Sequence, residues 1–596
     1  MLKDIQEYKI IGLDTETYLE NRVMKPFLIQ VYSEDFNPSL QEIFEVFREE
    51  EVERFVRWLI SRNVRGSIIV TFNLGFDISV VSKVIKDPNI QIKTIEFGGK
   101  TIYASIKRYR NVTRILDLNR LLPVSSLAEL GRMIGVEKRK RPILLGSKQS
   151  LELYISNEHY RNVMREYALQ DARICYHAFK KLIQGITQYY EVNRIKHTIG
   201  GLSAYIYGVN YVTYDFPKYP NEVEAKIRAS YRGGRTEVIK RGTNLEKVYY
   251  YDINSLYPYV MFVNRFPYNF NNGSGRFVKK SSVDLEFEGV AKALLSIEHE
   301  IPPVGVKRVL EDKFERLIFP EGKILGWFTF PELRYVEENN YGKIDKVYES
   351  FEYKVWCYPF KEYVKDLYGY RLKHREDKFL NKVFKFLMNS LYGKFGEYNT
   401  SKIVLLTNEG IREIKPEEVS KFRKYHNTIW ASYITAYGRL ELHRRFKQAG
   451  FKSVYYCDTD SLITSTQLPT GSELGELKLE GWADPYKAVF IRSKFYVFDD
   501  TIRLRGFTLS DSNVNIRELI AKGINYIEQE RILKPLEALR RKKPLLTYEI
   551  YKKFFNVNTD YKRVYEKLLK GKELFETMAE SYPRKFIEGG LDAINK

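Results

Sequence analysis

Cysteine is scarce in this chain. Only Cys175, Cys357 and Cys457 occur in 596 residues, and they lie far apart. Neither a zinc-type spacing nor a disulfide framework is available, and a reducing, intracellular (cytoplasmic) setting is expected. Long apolar runs are missing too: no stretch of 18 or more exists, which argues against a membrane span. The opening "MLKDIQEYKI" is too charged for a secretory signal. There is no obvious low-complexity stretch. Hydrophobic residues make up 44%, enough for real cores and against a disordered chain. The length suggests about three to six domain-sized units.

Acid is in short supply. Asp and Glu number 76 against 97 Lys and Arg, a net charge of +21. The basic residues are spread over the whole chain rather than gathered in a tail. A folded protein with that excess is suited to a polyanion, and nucleic acid is the commonest. Solubility charge alone is the plainer reading. The 46 tyrosines include rings that could stack on bases, although most will be ordinary core and surface residues.

Against this background, the acids that sit among apolar residues stand out, because an isolated carboxylate is costly there. "KIIGLDTETY" (9–18) reads as a short strand ending in Asp14 and Glu16, which alternation puts on one face. "IIVTFNLGFDISVV" (68–81) reads as a buried strand leading into a helix, with Asn73 or Asp77 near its cap. "VMREYALQDARICYHAF" (163–179) has helical spacing, and Tyr167 and Asp171 share a face at i and i+4. Asp14, Glu16, Asp77 and Asp171 gathered on one site would repel unless cations neutralised them. Two Mg²⁺ ions about 4 Å apart would do so, and would activate a water for phosphodiester hydrolysis. Tyr167 could orient that water. Capping and surface ion pairing are the bland alternatives for each residue taken singly.

Further along, "SYRGGRTEV" (230–238) offers Gly233 and Gly234 for a close backbone approach, with Tyr231, Arg232 and Arg235 able to meet phosphates. "YYYDINSLYPYVM" (249–261) is a strand reaching Asp252, then a turn in which Pro258 stops regular pairing. "YRLKHREDKFLNKVFKFLMNSLYGKFG" (370–396) has the spacing of the longest helix, with Arg371, Arg375, Lys378, Lys382, Lys385, Asn389 and Tyr392 on one face. "YYCDTDSLIT" (455–464) places Asp458 and Asp460 in an otherwise buried strand; a turn or a metal ion would explain them. "RSKFYVF" (492–498) reads as a basic strand with Lys494 and Tyr496 on one face. The last 85 or so residues are helical in pattern and rich in Lys and Arg.

Taken in order, these motifs resemble family B DNA polymerases. Asp-x-Glu, Asn-x-x-Phe-Asp and Tyr-x-x-x-Asp are similar to that family's 3′→5′ proofreading exonuclease. Tyr-x-Gly-Gly, Asp-x-x-Ser-Leu-Tyr-Pro, Lys-x-x-x-Asn-Ser-x-Tyr-Gly, Tyr-x-Asp-Thr-Asp-Ser and Lys-x-Tyr are similar to its polymerase motifs. The resemblance implies an α/β and α+β multidomain fold: a ribonuclease-H-like exonuclease domain followed by a right-hand polymerase of palm, fingers and thumb with two insertions. It places Asn73, Phe76, Ser126 and Leu127 (the last two in "SLAEL") on the frayed primer end. Lys140 matches a family lysine loosely, and a helix N-cap is the alternative for Ser126. Tyr231, Gly233 and Gly234 would contact the template. Asp252, the Ile253 carbonyl and Asp460 would hold two Mg²⁺ or Mn²⁺ ions, with Asp458 nearby. Backbone around Ser255 and Leu256 would bind triphosphate, and Tyr257 would exclude a 2′-hydroxyl. Lys385, Asn389 and Tyr392 would meet the incoming nucleotide, together with Arg371 or Lys373. Lys494 and Tyr496 would grip the primer terminus.

The implied domains are exonuclease 1–190, palm 191–261 and 428–510, insertions 262–358 and 397–427, fingers 359–396 and thumb 511–596. A short chain with two insertions looks like the protein-primed viral and plasmid subgroup. There a terminal protein's hydroxyl serves as primer, and the second insertion favours strand displacement. Primer–template DNA, dNTPs and a terminal protein are therefore the expected partners, with no membrane and a monomeric enzyme. Nucleic-acid-primed or primer-independent synthesis is the closest alternative. A nuclease with a degenerate polymerase site and a non-catalytic DNA-binding scaffold are more distant ones.

Overall fold

The strand begun by "IIGL" does not stop at its acids. It runs Ile10–Glu20 because Thr15 and Thr17 continue the buried face and Val23–Ser33 pairs along it. The computed structural model describes residues 7–61, 64, 66–212, 216, 219–268, 275–278, 282–398, 402–407, 410–414, 425–499, 501–507 and 515–587. The chain divides into two units, each assembled from three stretches of sequence.

The first unit comprises Met1–Val212, Asp366–Arg423 and Glu528–Lys552. Its nine-stranded sheet is ordered Gly410–Ile414, Lys402–Thr407, Ile90–Phe97, Lys100–Arg108, Asn111–Asp117, Ile68–Thr71, Ile10–Glu20, Val23–Ser33, Leu40–Phe44. Ile11, Leu13, Ile29 and Ile69 pack with Ile78 and Val81 of the helix Leu74–Val84 to form the core on one face. The 30-residue helix Glu158–Thr187 packs against the strand Ile10–Glu20. Gly12 permits the approach: a Cβ there would stand 1.9 Å from the Ala172 carbonyl oxygen. The interval expected as the second insertion supplies the two edge strands Lys402–Thr407 and Gly410–Ile414 to this sheet.

The single helix expected over 370–396 is three helices instead: Lys361–Lys373, Lys378–Ser390 and Tyr392–Phe395. Asp377 causes the break, since its carboxylate accepts from the Phe379 and Leu380 amides and caps the second helix. Arg371 and Lys373 therefore do not share a helix with Lys385. The Asn381 amide donates to the Arg371 carbonyl at 2.8 Å and ties the first two helices together. The longest helix is Glu158–Thr187.

The second unit comprises Thr213–Lys365, Lys424–Ile527 and Lys553–Lys596. One of its five-stranded sheets is ordered Leu477–Ala483, Val248–Ile253, Ser461–Thr464, Val454–Asp458, Thr236–Val238. The helix Thr428–Ala449, which begins just before "ASYITAYGRLELH", is buried along most of its length and contacts the helix Leu256–Val263. Pro258 does not end regular structure; it lies in the first turn of Leu256–Val263, where a missing N–H costs nothing. The interval 262–358 forms most of a second sheet, Gly275–Val278, Gly342–Tyr353, Glu288–Ile297, Glu321–Thr329, Lys585–Phe586.

The helical pattern expected after 511 is largely absent. Within the described part of 511–596 the helices are Ile516–Ala521, Pro535–Arg540 and Glu573–Glu576, of 6, 6 and 4 residues. "YEIYKKF" alternates every second residue and is the strand Tyr548–Phe554. Among the described residues, no helix is long and apolar enough to cross a membrane.

Candidate active sites

In the first unit, strand alternation and helix approach bring three acids together. Asp14 and Glu16 project from Ile10–Glu20 and Asp171 from Glu158–Thr187, with one oxygen of each within 4.8 Å of the others. Burial is the main force on all three. It raises Asp14 well above the usual carboxylate range, with Asp171, Asp77 and Glu16 adding repulsion. Burial and then Asp171 push Glu16 up to about 8. Asp171 is also raised by burial, although Lys138 pulls the other way. Gln30 Nε2 donates to Asp14 Oδ2 at 2.7 Å.

Asp77 is buried and pushed up to about 7, chiefly by burial, while the hydroxyls of Thr71 and Thr15 donate to it. It is therefore held by threonines beside the trio. Tyr167 is buried one helical turn before Asp171.

The basic residue of this site is Lys138. Its ammonium pairs with Asp171 Oδ2 and lies 4.8 Å from the Tyr167 ring centroid. Burial alone would lower its pKa, but Asp171 overrides that and holds it above the ordinary value. Lys140, the loosely matched lysine two residues on, is exposed. The sequence did not single out Lys138; the fold brings it to Asp171.

The trio fits a divalent metal. Asp171 Oδ1 is buried without a hydrogen-bond partner, and an all-oxygen donor set suits a hard cation. Asn73 takes a left-handed conformation, φ 73°, at the start of Leu74–Val84, but its side chain does not cap that helix. Instead Asn119 Nδ2 donates to Asn73 Oδ1 at 2.8 Å, and Asp117 accepts from the Asn73 amide at 3.1 Å. Asn73 and Phe76 line a cleft of about 250 Å³ shared with Lys100, Arg120 and Lys534. Sequence reasoning missed these three cations, which come from separate parts of the chain. Ser126 is a helix N-cap, its hydroxyl accepting from the Glu129 amide at 3.1 Å, and Leu127 is buried.

In the second unit, "YYCDTDSLIT" is a β-hairpin, Val454–Asp458 and Ser461–Thr464, with Thr459 at φ 63° in its turn. The hairpin pairs with Val248–Ile253 so that Asp252 lies opposite Ser461, and the Ile253 amide donates to the Asp460 carbonyl at 2.7 Å. Asp252 is thus one step across the ladder from Asp460. Asp458 has a different setting: Lys494 Nζ lies 2.6 Å from both its oxygens, and Thr236 Oγ1 donates at 2.9 Å.

Lys494 is not in a strand, as its motif suggested. It occupies the turn between Ala488–Arg492 and Phe495–Phe498, with φ 60°. Tyr496 follows on the second strand, its ring 4.9 Å from that of Tyr456. Ser255, at φ 50°, precedes the helix that carries Leu256 and Tyr257. A Cβ on Gly438 would meet the Tyr257 ring at 3.1 Å, which places that ring against Thr428–Ala449.

Gly234 lies under the hairpin turn: a Cβ there would stand 2.7 Å from the Thr459 side chain, and the Thr459 amide donates to the Arg235 carbonyl at 2.7 Å. Gly233 is tied through its carbonyl to Arg439 at 2.9 Å, and Tyr231 ends the helix Asn221–Ser230. The expectation that Arg232 and Arg235 meet phosphates is corrected. Both are buried, Arg232 beside Glu332 and Arg235 bonded to Glu237 at 2.6 Å. Lys385, Asn389, Tyr392, Arg371 and Lys373 all belong to the first unit.

Fold and sites define a class: a two-unit α/β protein with separate acidic centres, one of three carboxylates and one built on a hairpin beside a strand-borne aspartate. The chain belongs to the family of type B DNA polymerases, organellar and viral, whose pattern matches residues 60–468. Similar proteins include the DNA polymerase of Acidianus bottle-shaped virus (isolate Italy/Pozzuoli). It is 25% identical over 389 residues, 59% of this chain and 54% of that one. The DNA polymerase of Bacillus phage phi29 is 28% identical over 302 residues, 48% of this chain and 51% of that one. The chain spans about half the length of these curated relatives. The solved structure of phi29 DNA polymerase complexed with single-stranded DNA superposes with a TM-score of 0.69 at 17% identity. It covers 92% of this chain and all of that one. That likeness establishes the shared multidomain fold.

Proposed function

We propose that this protein is a template-directed DNA polymerase that adds dNTPs to a 3′-hydroxyl and removes mispaired ends with a 3′→5′ exonuclease. The observation that carries the reading is the hairpin that sets Asp460 beside Asp252 in a chain of this family. Asp252, Asp460 and the Ile253 carbonyl would hold Mg²⁺ or Mn²⁺, and Asp14, Glu16 and Asp171 would hold it in the second centre. When bound, the ions would lower the pKa of the attacking oxygen and offset charge on the leaving one. Lys494 fixes Asp458 and sets the primer terminus. The backbone at Ser255 and Leu256 binds phosphate, and Tyr257 blocks a 2′-hydroxyl. Lys385, Asn389, Tyr392 and one of Arg371 or Lys373 act on the incoming nucleotide. In the exonuclease centre, Lys138 holds Asp171 and steadies Tyr167, which orients the water.

Within this reading 1–190 is the exonuclease, 359–396 the fingers and 511–596 the thumb. The intervals 262–358 and 397–427 serve priming and strand displacement. Initiation on a terminal protein is supported by the resemblance to the phage and viral relatives. Extension of a labelled primer, with and without Mg²⁺ and dNTPs, tests the core activity; no extension by folded protein rejects it. Primed, unprimed and terminal-protein templates compared side by side test the start, and no labelled protein–nucleotide adduct rejects protein priming.

A further inference from the structure

One exposed aromatic pair is not used by either centre. Trp356 and Tyr358 are 42% and 45% exposed and meet edge to face, with ring centroids 5.7 Å apart. Trp356 opens a two-residue strand, Trp356–Cys357, that pairs with Phe266–Pro267, and Tyr358 follows just beyond it, with the ring contact holding the two side chains together. The residues packed behind this strand pair are buried. Buried Phe266 and Phe360 pack ring to ring at 4.9 Å, Trp430 lies 5.1 Å from Phe360, and the Trp430 indole donates to the Pro267 carbonyl at 2.8 Å. Each ring also carries a cation over it. The Arg265 guanidinium is 5.3 Å from the Trp356 ring centroid, and Lys361 Nζ is 5.8 Å from that of Tyr358. Arg265 is itself fixed by buried Glu288. The ribbon follows directly on the eight-residue helix Leu256–Val263, about 12 Å long. It therefore lies within a few nucleotides' reach of Ser255.

We propose that Trp356 and Tyr358 form a stacking platform for unpaired bases of the template strand, with Arg265 and Lys361 meeting its phosphates. The proposal rests on the polymerase reading above. A ring braced by its edge-to-face neighbour offers its open π-face at little entropic cost, and the nearby cations complement a polyanion. Duplex bases are already stacked and have no free face to give, so the platform selects single strand. It acts without regard to sequence, because every base has a π-face.

The test compares two labelled DNAs at fixed salt: a primer–template with a ten-nucleotide 5′ template overhang, and a blunt duplex. Trp356→Ala should weaken overhang binding about tenfold, the loss of one base stack, and leave blunt binding unchanged. Trp356→Phe should stay within about twofold of the parent, and Trp356→Leu, apolar but without a π-face, should behave like Ala. Equal losses on both DNAs, no loss on the overhang, or full binding by Trp356→Leu would overturn the platform; the last outcome would fit an apolar protein contact. If Trp356→Ala does not fold, 5-iodouracil in the overhang should photocrosslink the parent protein at Trp356 or Tyr358, and adducts elsewhere only would refute it. Primer extension by the parent is scored separately, so failure of the polymerase reading is distinguishable from failure of the platform.

Discussion

Gly12→Ala is a single-atom probe of the three-carboxylate centre. The new Cβ would stand 1.9 Å from the Ala172 carbonyl oxygen and 2.8 Å from the Tyr176 amide, both helix backbone, whereas ordinary contact begins at 3.4 Å. Strand and helix must therefore separate by about 1.5 Å, a backbone shift that overpacking makes costly at about 1–3 kcal/mol. Gly12 is two residues from Asp14, and Ala172 follows Asp171. The separation thus opens the three-carboxylate cluster itself. A displacement of about 1 Å at reacting groups costs roughly a hundredfold in rate. Asp252 and Asp460 belong to the other unit, so synthesis should stay near the parent level. The assay is digestion of a 5′-labelled single-stranded oligonucleotide in Mg²⁺ beside extension of a matched primer, with a melting curve for the same preparation. Digestion at the parental rate by a folded Gly12→Ala protein would refute the claim that this close approach sets the geometry of the three carboxylates.

Asp252→Ala or Asp460→Ala should abolish synthesis and spare digestion, while Asp14→Ala does the reverse; a single change that ends both activities in folded protein would reject two separate centres. Glu16 and Asp77 sit near 8 and 7, against 4.5 and 3.8 ordinarily. Folding therefore favours their protonated forms. The stability they contribute is full below about pH 4 and is lost as pH rises through 7 to 8. Metal-free protein should melt lower at pH 8.5 than at 5.5, and Mg²⁺ should raise melting more at 8.5; equal Mg²⁺ shifts at the two pH values would contradict this. Arg232→Ala should destabilise by about 1–2 kcal/mol, because buried Glu332 loses its second cation but keeps Arg439 at 2.8 Å. It should not change the salt slope of DNA binding, which a phosphate-contacting arginine would. Tyr257→Ala should admit ribonucleotides, read as incorporation of rNTP against dNTP on one template.

Much of both centres was legible because their motifs are local. Asp14 and Glu16 share a face by strand alternation, Tyr167 and Asp171 by helical spacing, and Asp458 and Asp460 by the tightness of one hairpin. These arguments need only a few consecutive residues. Errors arose where a side chain's partner is distant. Arg232 and Arg235 look like phosphate ligands until Glu332 and Glu237 take them. The run 370–396 has unbroken periodicity, yet the Asp377 cap ends one helix and starts another.

By itself, the sequence determined the family resemblance, the local pairing of acidic residues and the excess of positive charge. Each is written in contiguous strings whose local geometry is nearly obligatory. Tertiary structure alone paired Lys138 with Asp171, put Lys494 onto Asp458, carried Lys402–Thr407 and Gly410–Ile414 into the amino-terminal sheet and folded 528–552 with the first unit. Those outcomes depend on which distant backbones can approach, as at Gly12 and Gly234, and on the need of every buried charge for a partner.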